Sequence, residues 1–204
     1  MMLFKKLQAG PKARSASEQT NPVYFLPGGP DDTGNVQSVS LAVTLAREMR
    51  RRKKGSDTLI VLCIGTDKIT GDCLGPLVGT KLKERDFPHP VYGTLEHPVH
   101  ALNLSHTLSS FQKMYRHPFI LAVDAAVGPA DAIGCVSLSP SPIRPGQGVL
   151  RPLPPVGNLS LIGIVAEASA TSDWDLPYTR LFVVERMAEF ICRAVMRCEE
   201  LMAR

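Results

Sequence analysis

Residues 58–76 read TLIVLCIGTDKITGDCLGP, a continuous apolar run followed by a loop that holds three glycines. The run from Thr58 to Ile64 is rich in β-branched residues. An uninterrupted apolar run of this length is typical of a strand that is buried on both faces, as in a parallel sheet. A second such run, Phe119 to Val123, ends at Asp124. Two strands of this kind predict an α/β protein with a largely parallel sheet.

The segments around these strands alternate between helical and strand patterns. Helices are predicted at 36–52, 72–84 and 103–115, with a long C-terminal helix after Pro177, and strands at 91–95, 133–137 and 160–166. This alternation predicts helices on both faces of the sheet. Residues 1–35 are rich in Gly, Pro and Ser and are predicted to form a flexible tail with one ordered stretch at 23–26. A single domain is therefore expected over 36–204.

The composition is that of a globular protein. The chain has 204 residues, of which 44% are hydrophobic and 21% charged. These values exclude a fully disordered, collagen-like or coiled-coil chain, and no segment approaches the roughly 20 apolar residues of a membrane-spanning helix. The first residues lack the apolar centre of a secretory signal, and the five cysteines form no CxxC pair. We expect a cytoplasmic protein with reduced thiols and no membrane partner.

The net charge of +4 is unevenly distributed along the chain. Residues 1–54 hold ten Lys/Arg against four Asp/Glu, and much of this surplus lies in the run from Arg50 to Lys54. A basic run can bind phosphates, but it is also typical of an exposed helix end, where cations complement the helix dipole. No aromatic residues interleave with the run. We therefore expect a solvated helix end and no nucleic-acid partner.

An aspartate follows each of the two buried strands. If the strands are neighbours, Asp72 and Asp124 meet at the carboxyl edge of the sheet, where ligands bind in open α/β proteins. Two close carboxylates cannot both ionise cheaply, so one keeps its proton while the other acts as a base. Such a pair can activate water and protonate a leaving group, which is the minimum that amide hydrolysis requires.

The alternative is a structural role for both aspartates. Asp72 could cap the helix that follows it, and Asp124 could hold its loop in place. Glycines at 65, 71 and 75 favour a functional site, because they allow close backbone approach and leave amides open near a helix start, where an oxyanion can bind.

Other candidates for chemistry rank lower. Residues 96–100, EHPVH, have tempting ligand spacing, but Pro98 disfavours a helical metal-binding face. Cys73 lies near a predicted helix start, where a thiolate is favoured, yet a cysteine nucleophile would also need a base such as His100. The sequence contains no GxSxG and no GxxxxGK[ST] motif, so neither a serine-hydrolase elbow nor a P-loop is indicated.

Five blocks, in order along the chain, carry a family resemblance. They read IGTDKITGDCLGPLVGTKL, YGTLEHPVHALNL, ILAVDAAVG, IRPGQGV and LSLIGIVAEAS. They resemble the YyaC family, described as spore proteases of endospore-forming bacteria, over about residues 36–197. That family is similar to the germination proteases, which degrade small acid-soluble spore proteins, and it shares a fold with hydrogenase maturation endopeptidases. The resemblance implies a three-layer α/β/α sandwich of the phosphorylase/hydrolase-like type.

The resemblance also implies roles for individual residues. The catalytic aspartates of the germination proteases match Asp72, in TGDCLGP, and Asp124, in LAVDAA. The residues expected to border the substrate are Gly65, Thr66, Asp67, Gly71, Gly75, His100, Asn103, Pro145, Gly146 and Gly148. For His100 a purely structural role is an equal alternative. In hydrogenase maturation endopeptidases the two acidic positions bind nickel together with a later histidine, whereas all five histidines here precede Asp124. We expect no metal and no other cofactor.

These observations predict a sporulation-associated endopeptidase, an aspartic-type hydrolase acting on a protein or peptide substrate such as a spore protein. One alternative is a nickel-dependent or other metal-dependent maturation peptidase. The other is a non-catalytic homologue that keeps the cleft and binds protein. Self-association into a homo-oligomer is left open.

Overall fold

In the part of the chain that the structure describes, six strands and four helices make up the fold. The structure, a computed structural model, describes residues 22–27, 33–145, 153–168, 176 and 178–204. The strands are β1 (Val23–Phe25), β2 (Thr58–Cys63), β3 (Val91–Tyr92), β4 (Pro118–Gly128), β5 (Val136–Ser139) and β6 (Leu159–Glu167). The helices are α1 (Thr33–Arg52), α2 (Leu74–Glu84), α3 (Leu104–Met114) and α4 (Leu181–Met202), with short 3₁₀ helices at Thr70–Cys73 and Ala130–Ala132. No helix in the described ranges is long and apolar enough to cross a bilayer.

The strands form one mixed sheet in the order β1-β5-β6-β4-β2-β3. Strands β6, β4, β2 and β3 run parallel, and β5 and β1 complete the sheet as antiparallel neighbours. The predicted mostly parallel, mixed sheet is confirmed. Its parallel part contains both apolar runs that predicted it, β2 and β4, side by side.

Helices cover both faces of the sheet, which confirms the three-layer α/β/α sandwich. Helices α1, α2 and α4 pack on one face, and α3 packs on the other. Successive side chains of β2 alternate between them, so that Val61 joins the α1, α2 and α4 layer while Ile60 and Leu62 pack with Phe111 of α3. Burial on both faces explains why this strand is apolar at every position.

The folded unit begins before Val36. Strand β1 pairs antiparallel with β5, with Val23 opposite Leu138, and α1 starts at Thr33. The ordered stretch predicted at 23–26 is therefore an edge strand of the sheet, and this part of the predicted tail belongs to the domain. The remainder of that tail, residues 1–21 and 28–32, lies outside the described residues.

Strand β4 extends further than the sequence predicted. It was expected to end at Asp124, but it continues to Gly128 because β6 pairs with it along this length, with a bulge between Ala126 and Val127. Strand β2 pairs with it only as far as Val123. Asp124 therefore lies within a strand rather than in a loop, at the first position of β4 beyond the end of β2.

Two shorter strands differ in their bounds. The strand predicted at 91–95 ends at Tyr92 because Gly93 has a φ of 84°, which turns the chain. The strand predicted at 133–137 begins only at Val136, after Gly134 with a φ of 86°. Both shifts follow from glycines in the left-handed region, which ends regular pairing.

Candidate active site

The two predicted aspartates lie at the carboxyl edge of the sheet. Asp72 is in the 3₁₀ helix that leads into α2, and Asp124 follows the last β4 residue paired with β2. The Ile64 N–H donates to the Val123 carbonyl at 2.7 Å, so the loop that carries Asp72 leaves β2 beside Asp124. The structure thus brings to one edge two residues that are 52 positions apart in the sequence.

Gly65 sets the close approach of Asp72 to the end of β2. It has a φ of 141°, and a Cβ at this position would lie 2.0 Å from the Asp72 carbonyl oxygen and 3.1 Å from Asp72 Oδ1. The Thr66 N–H donates to the same carbonyl at 3.2 Å. Only glycine fits a backbone that runs this closely against the 3₁₀ helix.

The other two glycines predicted at the site, Gly71 and Gly75, lie close to the backbone of other parts of the protein. A Cβ at Gly75 would lie 2.1 Å from the Ile64 carbonyl oxygen, so α2 begins directly against the end of β2. The Gly71 N–H donates to the Leu176 carbonyl at 2.9 Å, which packs the segment before α4 over the 3₁₀ helix. Sequence reasoning missed Leu176, because no local pattern signals a contact across more than 100 residues. The substrate-binding roles of Gly65, Gly71 and Gly75 stay predictions.

Burial dominates the electrostatics of the pair. Asp72 and Asp124 are 4% and 8% exposed. Burial raises the pKa of Asp72 to about 7, an effect that the Thr66 N–H partly offsets. Burial, and then the charge of Asp72, raises the pKa of Asp124 well above its usual range, partly offset by the Ala125 N–H that donates to Asp124 Oδ1 at 2.9 Å. Both pKa values are therefore raised, so the pair does not ionise fully at neutral pH.

Asp72 does not act as a helix cap. Neither the 3₁₀ helix, which follows Ile69, nor α2, which follows Cys73, has a side-chain capping bond. Asp72 Oδ1 is buried and has no hydrogen-bond partner among the described residues. Since buried polar atoms are nearly always paired, this oxygen indicates a position for a proton, a water molecule or a substrate atom.

Cys73 does not have the properties of a nucleophile. The expectation that a helix start favours its thiolate is wrong here, because burial raises the pKa of the Cys73 thiol. The thiol instead donates to the Thr70 carbonyl at 2.9 Å. Burial in apolar surroundings disfavours the thiolate more than the adjacent helix start stabilises it.

Other residues that were predicted to border the substrate differ in their solvent exposure. Thr66 Oγ1 accepts a backbone N–H within the turn after β2 at 3.3 Å, and Asp67 is exposed in the same turn. Pro145 is buried at the end of the described part of its loop. Gly146 and Gly148 lie outside the described residues. No contact that the structure describes assigns these residues to a substrate, so their roles stay predictions.

His100 and Asn103 belong to a loop that reaches the same edge, where the Gly65 N–H donates to the Val99 carbonyl at 2.8 Å. Asn103 closes this loop: its Oδ1 accepts the His100 N–H at 2.8 Å, and its Nδ2 donates to the Pro98 carbonyl at 2.9 Å. Both residues line a groove of about 1000 Å³ beside β3, and in the described part of the chain neither aspartate lines it. The amide of Asn103 is therefore occupied in holding the loop.

Within the described ranges, the donor side chains near the aspartate pair do not form a complete metal centre. Among the described residues there is no group of three or more His, Cys, Asp or Glu side chains that could hold a metal ion. Catalytic metal sites typically use three protein ligands, whereas the described part of the chain brings two aspartates together here. No step through a metal ion follows from this arrangement.

Comparison with known proteins places the chain among its relatives. The family described as "Protein of unknown function (DUF1256)" matches residues 33–194. The uncharacterized protein YyaC of Bacillus subtilis strain 168 is 41% identical over 145 residues, which cover 71% of each chain. Among solved structures, the NiFe hydrogenase maturation protease HycI from Thermococcus kodakarensis KOD1 matches with 18% identity and a TM-score of 0.41, over 74% of this chain and 98% of that one. A likeness of this degree does not bear on activity.

Proposed function

The chain belongs to the DUF1256 family and is a relative of YyaC, as its motifs predicted, and we propose that it is an endopeptidase that hydrolyses a protein substrate with Asp72 and Asp124. One observation carries the proposal. Asp72 Oδ1 is buried and unpaired among the described residues, next to a second buried carboxyl group whose pKa the Asp72 charge raises. A pair that shares one proton at neutral pH is suited to acid–base chemistry.

In the proposed reaction Asp72 is the base and Asp124 is the acid. The Asp72 carboxylate accepts a proton from water as the water oxygen attacks the scissile carbonyl carbon. Asp124 donates its proton to the carbonyl oxygen, which gives a neutral tetrahedral diol. When the C–N bond breaks, Asp72 returns its proton to the leaving nitrogen, and one diol hydroxyl returns a proton to Asp124. The pair thereby recovers its initial protonation state.

The biological setting of the proposal comes from the family resemblance alone. We propose that the substrate is a protein of the sporulating cell or spore, and that the peptidase acts there in the cytoplasm. The turn at 65–67 and the segment that reaches Pro145 are the proposed borders of the substrate.

The test is to incubate the full chain with the proteome of sporulating cells and to map new peptide termini by mass spectrometry. We expect new termini with the wild type and none with Asp72→Asn or Asp124→Asn. Asp131→Asn serves as the matched control, since Asp131 is exposed in the 3₁₀ helix Ala130–Ala132. The control should cleave like the wild type.

Two outcomes contradict the proposal. A folded wild type that produces no new termini would identify a non-catalytic binding homologue. Stoichiometric metal in protein purified without chelators, together with loss of cleavage on its removal, would identify the metal-dependent alternative.

A further inference from the structure

A second cavity lies at the amino edge of the sheet. Helix α1 ends at Arg52, the turn at 53–57 leads into β2, and the Thr58 N–H donates to the His117 carbonyl at 2.9 Å. Because β2 and β4 start in register, the basic end of α1 meets Arg116 and His117, which immediately precede β4. Two basic segments that are remote in the sequence thus border one cavity.

Hydrogen-bond donors dominate this cavity of about 460 Å³. Its donor side chains are those of Arg52, Lys54, Ser56, Arg116, His117 and Asn158. The lining includes one carboxylate, Asp57, against three permanent cations.

Among the residues that the structure describes, the nearby acidic groups leave several of these cations without an ion pair. Glu48 pairs with Arg52 at 3.3 Å and with two other arginines of α1. Asp57 Oδ2 accepts the Lys54 backbone N–H at 2.7 Å and so holds the turn. In the described part of the chain, the side chains of Lys54, Arg116 and His117 make no ion pair.

Asn158 adds neutral donors of fixed orientation. Its Oδ1 accepts the Ile120 N–H at 2.7 Å, which identifies the oxygen and the nitrogen of the amide. The NH₂ group therefore lies on the opposite side of the amide and can donate to a molecule in the cavity. The site thus combines guanidinium, ammonium, amide and hydroxyl donors.

We propose that this cavity binds the phosphate group of a small molecule. Guanidinium groups bind phosphate in a bidentate manner, and the cavity has the size of a small-ligand site. A nucleic acid requires an extended basic surface, whereas these cations converge on one cavity that also contains a carboxylate. The site is separated from the aspartate pair by the length of β2, about 20 Å, so the proposal does not rest on peptidase activity.

The test measures binding of inorganic phosphate and of pyrophosphate by calorimetry, at constant ionic strength. The variant is Lys54→Gln/Arg116→Gln, which removes two cations of the cavity. The control is Lys83→Gln/Lys113→Gln, which removes the same charge from exposed helix positions outside it. We expect saturable binding to the wild type and the control, and binding at least about tenfold weaker to the variant.

Several results would overturn the proposal. Absence of binding to the folded wild type excludes the site, and an equal loss in variant and control shows that only the net charge matters. Competition by poly-glutamate at equal charge concentration shows a site for carboxylates. Binding of duplex DNA that pyrophosphate does not displace shows a nucleic-acid surface instead.

Discussion

The two edges of the same sheet have opposite chemistry. At the carboxyl edge, Asp72 and Asp124 are buried and the backbone around Gly65 has no room for a side chain. At the amino edge, Lys54 and Arg116 are exposed beside an open cavity. The parallel pairing of β2 and β4 produces both arrangements, because it brings like ends of the strands together. Burial therefore decides what a charge does: ionisation is costly at the carboxyl edge, and charges are screened by water at the amino edge.

The largest difference is expected in catalysis. Replacing Asp124 with Asn removes the group that we propose as the proton donor, so the specificity constant for a cleaved peptide should fall by about 10³-fold or more. The matched change at the amino edge, Asp57→Asn, should leave cleavage unchanged, since an amide oxygen can still accept the Lys54 N–H. Peptide cleavage and melting temperature are measured for both variants. Full activity of Asp124→Asn, or loss only through unfolding, would refute the role of the pair.

The next largest effect is on packing around the glycines. Gly65→Ala should destabilise the fold by about 3 kcal/mol, because the new Cβ would overlap the Asp72 carbonyl at a φ of 141°. Gly55→Ala, in the turn at the amino edge, has nothing within 4 Å of its Cβ and should change stability by less than about 0.5 kcal/mol. Urea denaturation measures the free energy of unfolding of both variants. Equal effects would mean that the carboxyl edge is not tightly packed.

A smaller effect is expected in the pH dependence of stability. Burial raises the pKa of Asp72 from 3.8 to about 7, so between these values the folded chain binds more protons than the unfolded chain. Stability contributed by this group is therefore present near pH 4 and is lost as the pH rises to about 7. Because Asn does not titrate, Asp72→Asn should gain stability relative to the wild type as the pH rises over that range.

The pH prediction is checked by denaturation of wild type and Asp72→Asn at several pH values from 4 to 8. Arg116→Gln, at the amino edge, is the control and should remain parallel to the wild type over this range. A constant difference between Asp72→Asn and wild type would show that Asp72 titrates normally in the folded chain.

The smallest effect concerns the cations of the amino edge. Arg116→Gln should change the free energy of unfolding by no more than about 0.5 kcal/mol, because Arg116 is exposed and makes no ion pair in the described residues. Thermal denaturation of Arg116→Gln and wild type without added phosphate measures this difference in stability. A loss of several kcal/mol would show that Arg116 supports the fold rather than a ligand.

Much of the architecture was predictable because local patterns report burial. The apolar runs of β2 and β4 and the helical periodicity of α1 and α3 gave element types and bounds within a few residues. The glycines at 65 and 75 were correctly identified as positions of close approach. These features depend on neighbours along the chain, which is the information that a sequence pattern contains.

Other features of the site escaped prediction because they depend on pairing between distant strands. Asp124 was expected in a loop, but β6 extends β4 beyond it. The Gly71 N–H donates to the Leu176 carbonyl, and Arg52 and Arg116 line the same cavity. No local sequence pattern relates the two residues of either pair. The position of Cys73 near a helix start favoured a thiolate, yet burial raises the pKa of its thiol.

The sequence by itself determined the fold class, the family and the two aspartates, since hydrophobic patterning and motif order are properties of the chain. Only the tertiary structure decided the state of those aspartates: both are buried, the charge of Asp72 raises the pKa of Asp124, and Asp72 has no capping role. It likewise placed the basic end of α1 beside the cavity at the amino edge, where Arg52 and Lys54 form part of the lining. The physical reason is the same at both edges. The energy of a charge depends on its solvent exposure and its neighbours, and both are set by long-range strand pairing.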